Sequence, residues 1–261
     1  MVGKLLERVE EEVHAGNTLG NIELTTKLYT IAIDAWAKSK GGGMAARRAE
    51  SILHHMFKLY KTEMYPKLKP TTGIFNAVVN SWAQSKDDLA PARCEQILNW
   101  MVDLYKNGDN DVKPDSYTWN TVMHAHIQSG KKESMLKVQS FLEKMTRMYK
   151  EGNTAAKPET ISYNIVINAL AKSGIVGSAS EAENLLSKMH MLHEMGDPDV
   201  KPNVVTYCAV VRKCVAFLHS SSAPCDLICS YVPLQFFHRL THMQRVWYLG
   251  QLPEVTPFLQ I

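Results

Sequence analysis

Asparagine side chains recur at a fixed spacing along the chain. Asn76, Asn120 and Asn164 each follow an aromatic residue and lie 44 residues apart. An amide both donates and accepts hydrogen bonds, so it can pair with the edge of a nucleic-acid base. Asn is also a mediocre residue for a helix interior, so helix propensity does not favour three aligned copies. The spacing predicts a row of base-contacting side chains, and an ordinary solvated helix face is the alternative.

A second row of polar side chains follows each Lys-Pro pair. It consists of Thr71, Asp115, Glu159 and Asn203. Short polar or acidic residues at a helix start accept hydrogen bonds from free N–H groups and interact favourably with the helix dipole. Capping alone therefore explains this row, but capping and ligand contact are compatible roles.

The sequence contains no set of residues typical of catalysis. No Ser-His-Asp order, acidic cluster or zinc-deaminase motif can be assembled, and the histidine pairs have no further ligands nearby in the sequence. The sequence thus predicts that the protein is not an enzyme, with no catalytic residue, no metal site, no cofactor and no small-molecule substrate.

Both polar rows belong to a repeat that covers most of the chain. Its aromatic residues, spaced by 46, 44, 44 and 44 residues, are Tyr29, Phe75, Trp119, Tyr163 and Tyr207. Apolar residues follow each aromatic at helical spacing, and a second helical stripe ends in Met56, Met101, Met145 and Met189. A fixed period of this length is typical of stacked units that cannot bury their apolar faces alone. We therefore predict an all-α fold, an α-solenoid of stacked helical hairpins.

The repeat divides the chain into three parts. Residues 1–24 fit the second helix of a partial repeat, which either begins inside a longer array or caps this one. Residues 25–216 form the array, with about four full repeats and the first helix of a fifth. Residues 217–261 form a divergent C-terminal tail with poor helical patterning, and a degenerate capping helix over 234–250 is the alternative.

Composition narrows the range of partners. The net charge is +3 and charged residues make up 21% of the chain, so the sequence lacks a strongly basic arm. No apolar run is long enough to span a membrane, and the acidic N-terminus does not resemble a targeting peptide. Five cysteines without a CxxC spacing favour reduced thiols.

Together these motifs resemble the pentatricopeptide repeat family. The resemblance rests on Val-Thr-Tyr at 205–207, Ser-Tyr-Asn at 162–164, Ala-Lys-Ser-Gly at 171–174, Ser-Glu-Ala-Glu at 180–183 and Lys-Pro-Asp at 113–115, and it covers about residues 2–216. The repeats exceed the family's usual length by about nine residues, so the chain resembles a long-repeat variant of about 44 residues. The resemblance implies a right-handed superhelix that binds single-stranded RNA, one base per repeat.

The resemblance also assigns roles to particular residues. In the family, the residue after the aromatic and the residue after the next Lys-Pro together specify the base. Asn76 with Asp115 then favours uracil, and Asn164 with Asn203 favours pyrimidines. Thr30 with Thr71 and Asn120 with Glu159 do not match the family's combinations. The family also contacts each base with an aliphatic residue two before the aromatic, a position filled here by Ile161 and Val205 but not by Lys27 or Gly73.

The resemblance further implies a setting. Pentatricopeptide repeat proteins usually act in mitochondria or plastids, in RNA processing, stability or translation, so we expect an organellar protein whose partners are single-stranded RNA and other proteins of an RNA-processing complex. The rival hypothesis is a scaffold that binds proteins without RNA readout. It predicts charged or aromatic residues on the concave face, where this sequence has mostly amides.

Overall fold

The structure, a computed structural model, describes residues 2–14, 24–39, 41–63, 65–175 and 177–220. Within these ranges every regular element is helical. The α-helices are α1 (Val2–His14), α2 (Thr26–Ala37), α3 (Gly42–Lys61), α4 (Thr72–Gln84), α5 (Ala90–Lys106), α6 (Ser116–Gln128), α7 (Lys132–Lys150), α8 (Thr160–Lys172), α9 (Ser178–Glu194) and α10 (Val204–Ser220). Four 3-10 turns precede α4, α6, α8 and α10, at Pro66–Leu68, Asn110–Val112, Thr154–Ala156 and Pro198–Val200.

The helices pair into hairpins that stack in chain order. Each hairpin joins a first helix of 12 or 13 residues to a second helix of 17 to 20 residues. Consecutive helices pack on each other, and the first helices α2, α4, α6, α8 and α10 also pack in succession. The prediction of an all-α stack of helical hairpins is confirmed.

The core consists of the residues that the repeat pattern marks. Tyr29, Phe75, Trp119 and Tyr163 are buried in the first helices, and the four aligned methionines are fully buried in the second helices. A fully buried large apolar side chain contributes about 1.5–3 kcal/mol relative to its exposed state. Because consecutive hairpins pack on each other, the free energy that holds one repeat comes partly from the next.

Glycines end the second helices α5, α7 and α9 at a common geometry. Gly108, Gly152 and Gly196 have φ values of 95°, 106° and 97°. The residue after each donates its backbone N–H to a carbonyl in the last helical turn, as in Asp109 N to Leu104 O at 3.0 Å. The chain then enters the 3-10 turn and the Lys-Pro pair, so this turn sets the start of the next first helix.

The two ends of the chain are described in part. Helix α1 packs against α2 and buries Leu6, as a second helix does. Helix α10 extends to Ser220, past the predicted start of the tail at 217. The rest of the predicted tail, 221–261, lies outside the described residues. In the part of the chain that the structure describes, no helix is both long and apolar enough to cross a membrane.

One core position holds a histidine. His126 is 2% exposed and aligns with Trp82 of the preceding repeat. Its ring lies 5.0 Å from that of Phe141, and neither ring nitrogen has a hydrogen-bond partner among the described residues. Burial lowers the pKa of His126 to about 4, and Glu95, whose carboxylate lies 3.8 Å from Nε2, offsets only part of this effect. The folded protein therefore favours the neutral ring.

We expect His126 to make stability depend on pH. The unfolded chain binds the imidazole proton near pH 6.5 and the folded chain only near pH 4, so stability present above pH 6.5 is lost as the pH falls toward 4. The full loss is about 3 kcal/mol, at ~1.4 kcal/mol per pKa unit. Urea unfolding at pH 7 and pH 5 should show about 2 kcal/mol of this loss. His126→Leu should reduce the difference, while the exposed control His54→Gln leaves it in place. An unchanged pH difference in His126→Leu contradicts the prediction.

Candidate nucleic-acid interface

The two polar rows meet where consecutive first helices pack. Asn76 is in the first turns of α4, and Asp115 is the N-cap residue of α6, which packs against α4. Asn164 and Asn203 occupy the same places at the junction of α8 and α10. The residue after the aromatic is thus brought to the N-cap of the next first helix, because stacked hairpins repeat the same register.

At the α4–α6 junction, three side chains form one hydrogen-bonded group, called here the Asn76 triad: Asn76, Asp115 and Thr118. Asn76 Nδ2 donates to both carboxylate oxygens of Asp115 at 3.2 Å. Thr118 Oγ1 lies 2.6 Å from Asn76 Oδ1 and 2.8 Å from Asp115 Oδ1. Asp115 Oδ1 also accepts from Thr118 N at 2.8 Å, which caps α6. The cap therefore also orients the Asn76 amide.

The α8–α10 junction repeats this arrangement in the Asn164 triad: Asn164, Asn203 and Thr206. Asn164 Nδ2 donates to Asn203 Oδ1 at 3.2 Å, and Thr206 Oγ1 donates to Asn164 Oδ1 at 2.6 Å. Thr206 N donates to Asn203 Oδ1 at 3.1 Å. Asn164 is only 9% exposed, so it lies deeper than a solvated helix face requires.

The two triads offer different hydrogen-bonding groups to a ligand. In both, the asparagine Oδ1 is paired with the threonine hydroxyl, which leaves Nδ2 as the donor side of the amide. In the Asn76 triad, Asp115 Oδ2 accepts only from Asn76 and retains acceptor capacity. In the Asn164 triad, Asn203 Oδ1 is occupied, and its Nδ2 has no partner among the described residues. The first triad presents a donor and an acceptor, and the second presents donors.

The other two predicted pairs are not joined. Thr30 Oγ1 donates to Thr26 O in its own helix at 2.8 Å, and Thr71 is an exposed N-cap without a side-chain hydrogen bond. Glu159 forms a capping box with Ser162 in α8. Asn120 Oδ1 is buried without a partner among the described residues.

The predicted aliphatic contacts are exposed beside these pairs. Ile161 is 57% exposed and Val205 is 54% exposed, each in the first turn of its helix. Tyr117, at the same register in α6, is 51% exposed. Tyr117 was not predicted from the sequence, although it lies at the predicted contact position, two residues before Trp119. Lys27 and Gly73 occupy the register in the first two repeats and are also exposed.

Ion pairs between repeats were also not predicted. Lys157 Nζ lies 2.9 Å from Asp197 and 2.7 Å from Asp199, in the 3-10 turn of the next repeat, and Lys69 binds Asp109 and Asp111 in the same way. These hydrogen bonds raise the pKa of Lys157 and lower that of Asp197. The signal in the sequence is an Asp-x-Asp motif that begins 40 residues after the lysine of a Lys-Pro pair.

Comparison with known proteins bears on the middle of the array. Residues 104–173 match the family model of the pentatricopeptide repeat domain. The matched segment runs from the end of α5 to the end of α8 and includes Asp115, Asn120, Glu159 and Asn164. No curated protein matches the chain. The domain match points to an RNA-binding repeat protein of a family that is generally non-catalytic and often organellar.

The triad predicts a stability difference between two N-caps. Asp115→Ala should lower the free energy of unfolding by about 1–2 kcal/mol, because it removes the cap of α6 and the acceptor of Asn76. Thr71→Ala, at the N-cap of α4 without a side-chain hydrogen bond, should change it by less than about 0.5 kcal/mol. Urea unfolding of the two variants tests the difference, and equal losses contradict it. A double-mutant cycle of Asp115→Ala with Asn76→Ala should show a coupling of about 0.5 kcal/mol or more.

Proposed function

We propose that this array binds single-stranded RNA and selects pyrimidines at two positions, uracil at the Asn76 triad and cytosine before uracil at the Asn164 triad. One observation carries the proposal. The two residue pairs that match the family's base-specifying combinations are the two that hydrogen bonds hold together, and the two pairs outside the code are not joined. A side chain held in one orientation presents a defined pattern to a base edge, which selectivity requires.

The Asn76 triad is complementary to uracil. Uracil presents an N3–H donor beside a carbonyl acceptor, and the triad presents an acceptor at Asp115 beside a donor at Asn76. Guanine presents the same order of donor and acceptor on a larger ring system. We expect the length of the Asn76 side chain to exclude guanine, because a shorter side chain at this position leaves room for a purine.

The Asn164 triad favours a base with two adjacent acceptors. Cytosine has acceptors at O2 and N3, which match the donors of Asn164 and Asn203. Uracil carries a hydrogen at N3, and the Asn203 donor cannot pair with it. The amide at 203, in place of the carboxylate at 115, thus shifts the preference from uracil to cytosine within the pyrimidines.

Affinity in this proposal comes mainly from the bases. Two of the Lys-Pro lysines, Lys69 and Lys157, are neutralised by carboxylates of the next repeat. The net charge of the chain is only +3. Stacking contributes about 1–3 kcal/mol per base, so a few bases give moderate binding.

The biological setting follows from the family. We propose that the protein acts in mitochondria or plastids, in RNA processing, stability or translation, together with other proteins of that pathway. Import of the full-length protein into isolated organelles tests this setting, and exclusion from both organelles contradicts it.

Selection from a random single-stranded RNA pool tests the base preferences. The wild-type chain should enrich pyrimidines at two positions, and Asn76→Thr should move one position from uracil to guanine, since the shorter side chain admits a purine beside Asp115. Asn99→Thr, on the exposed surface of α5, is the matched control and should leave the recovered motif unchanged. An identical motif from wild type and Asn76→Thr contradicts base readout. A pool without enrichment supports the protein scaffold instead.

Salt dependence tests where the affinity arises. We expect binding to weaken gently with salt, with a slope of log K against log salt of about −1.5 to −3, equivalent to two to four phosphate contacts on a single strand. The reason is that Lys69 and Lys157 are already paired with carboxylates. Fluorescence anisotropy at several KCl concentrations measures the slope, and a value steeper than about −5 shows that phosphate contacts dominate.

A further inference from the structure

The last described helix, α10, has fewer neighbours than the first helices before it. Each of α4, α6 and α8 packs against both helices of the preceding hairpin, its own second helix and the next first helix. For α10 the structure describes only the first two of these neighbours, α8 and α9. The second helix of its own hairpin would follow it in the chain, beyond the described residues. One side of α10 is therefore uncovered in the part of the chain that the structure describes.

Core positions at this end of the stack are partly exposed. They are Leu185 in α9 and Tyr207 and Val211 in α10, called here the α9–α10 face. The residues at the same positions of the two preceding repeats are at most 2% exposed: Ile97, Phe141, Phe75, Trp119, Val79 and Met123. Because those repeats differ from the last one in having a complete hairpin after them, we attribute the exposure of the α9–α10 face to an uncovered side of the stack.

The spacing that marks a second helix occurs again beyond α10. In α5 and α7, a buried leucine is followed at fixed distances by a buried methionine, a tyrosine and the glycine after the helix. These residues are Leu98, Met101, Tyr105 and Gly108 in one repeat and Leu142, Met145, Tyr149 and Gly152 in the next. Leu240, Met243, Trp247 and Gly250 have the same spacing, with tryptophan in place of tyrosine.

The residues after Gly250 resemble the turn that follows a second helix. In the fourth repeat, Gly196 precedes Pro-Asp-Val-Lys-Pro at 198–202, which contains a 3-10 turn and the buried Val200. The sequence Pro-Glu-Val-Thr-Pro at 253–257 follows Gly250 with one additional residue between them. The match thus covers two consecutive elements, the end of a second helix and the turn after it.

The segment 234–249 also has the boundaries and the apolar face of a helix. Proline at 233 suits a helix start and glycine at 250 suits a helix end. One face, at helical spacing, consists of Phe236, Leu240, Met243 and Trp247, and the opposite face consists of His238, Thr241, His242 and Arg245. A single helix of this length is marginal in water, so it requires a surface to pack against.

We propose that residues 234–250 form the second helix of a fifth hairpin and cover the α9–α10 face with the side chains of Phe236, Leu240 and Met243. The sequence alone leaves a helix over 234–250 as the alternative to a divergent tail, and the partly exposed core positions favour the helix. Met243 follows Met189 by 54 residues instead of 44, so the connection after α10 contains an insertion. The proposal is independent of RNA binding.

Hydrogen exchange of the purified full chain, followed by mass spectrometry, tests the proposal. The backbone amides of residues 234–249 should exchange at least about tenfold more slowly than in a synthetic peptide of the same residues, because packing stabilises a helix that is marginal alone. The protection should not depend on protein concentration, since the face and its cover belong to one chain. Exchange at the rates of the free peptide overturns the proposal. Protection that rises with concentration, together with a dimer mass in light scattering, assigns the face to a second copy and also overturns it.

Two aspartate variants of the segment test its orientation. Leu240→Asp should return the amides of residues 234–249 to within about twofold of the free-peptide rates, because a charge cannot be buried on the α9–α10 face without a partner. Thr241→Asp is the matched control, since it places the same charge on the polar side of the helix, and it should retain the protection. The amides of α8 should keep their wild-type exchange in both variants. Equal protection of the segment in the two variants contradicts the proposed packing.

A variant of α10 tests the face from the other side. Val211→Asp should remove the protection of residues 234–249, for the same reason as Leu240→Asp. Leu136→Asp, which makes a comparable change at an exposed position of α7, should leave the protection in place. Protection of the segment that survives Val211→Asp shows that it packs elsewhere, and this result overturns the assignment of the α9–α10 face as its docking site.

Discussion

The structure depends on the burial of one aromatic residue per repeat. Phe75 and Trp119 are buried in a stack whose consecutive hairpins pack on each other, and repeat units of this kind cannot bury their apolar faces alone. This requirement fixes the register between repeats, since each first helix must place its apolar stripe against the next. The 44-residue spacing of the aromatic residues in the sequence reflects that requirement.

The same register creates the candidate interface. When α4 and α6 pack side by side, the N-cap of α6 lies next to the second turn of α4, and a capping residue can bind a side chain of the neighbouring helix. Asp115 does both, because it caps Thr118 N and accepts from Asn76. The sequence left capping and ligand contact as compatible roles, and in the structure the capping carboxylate also bonds to a side chain of the neighbouring helix. The helix start that stabilises the stack also orients the amide.

Periodicity made the fold predictable, and it made only part of the site predictable. The stripes that begin at Phe75 and end at Met101 indicated two helices and their buried faces, and resemblance to the family supplied the pairing of Asn76 with Asp115. The hydroxyl of Thr118, the buried carbonyl of Asn120 and the ion pair of Lys69 could not be derived in the same way. Each depends on distances between repeats, which a pattern within one repeat does not contain. The 40-residue offset between Lys69 and Asp109 was present in the sequence, but its meaning requires the stacked register.

Asp115 and Glu159 show that residue type alone does not decide whether an N-cap bonds to the asparagine of the preceding repeat. Both are acidic N-caps with a hydroxyl residue three positions later, and both follow an asparagine in the preceding repeat by 39 residues. At α6 the carboxylate and the hydroxyl both bond to that asparagine, whereas at α8 the longer side chain closes its capping box with the asparagine outside. One methylene separates an acid that bonds to the asparagine of the preceding repeat from one that bonds to Ser116 there instead. In the proposed RNA binding, selectivity is therefore a property of the junction between two repeats, gained where hydrogen bonds link the two residues and lost where they do not.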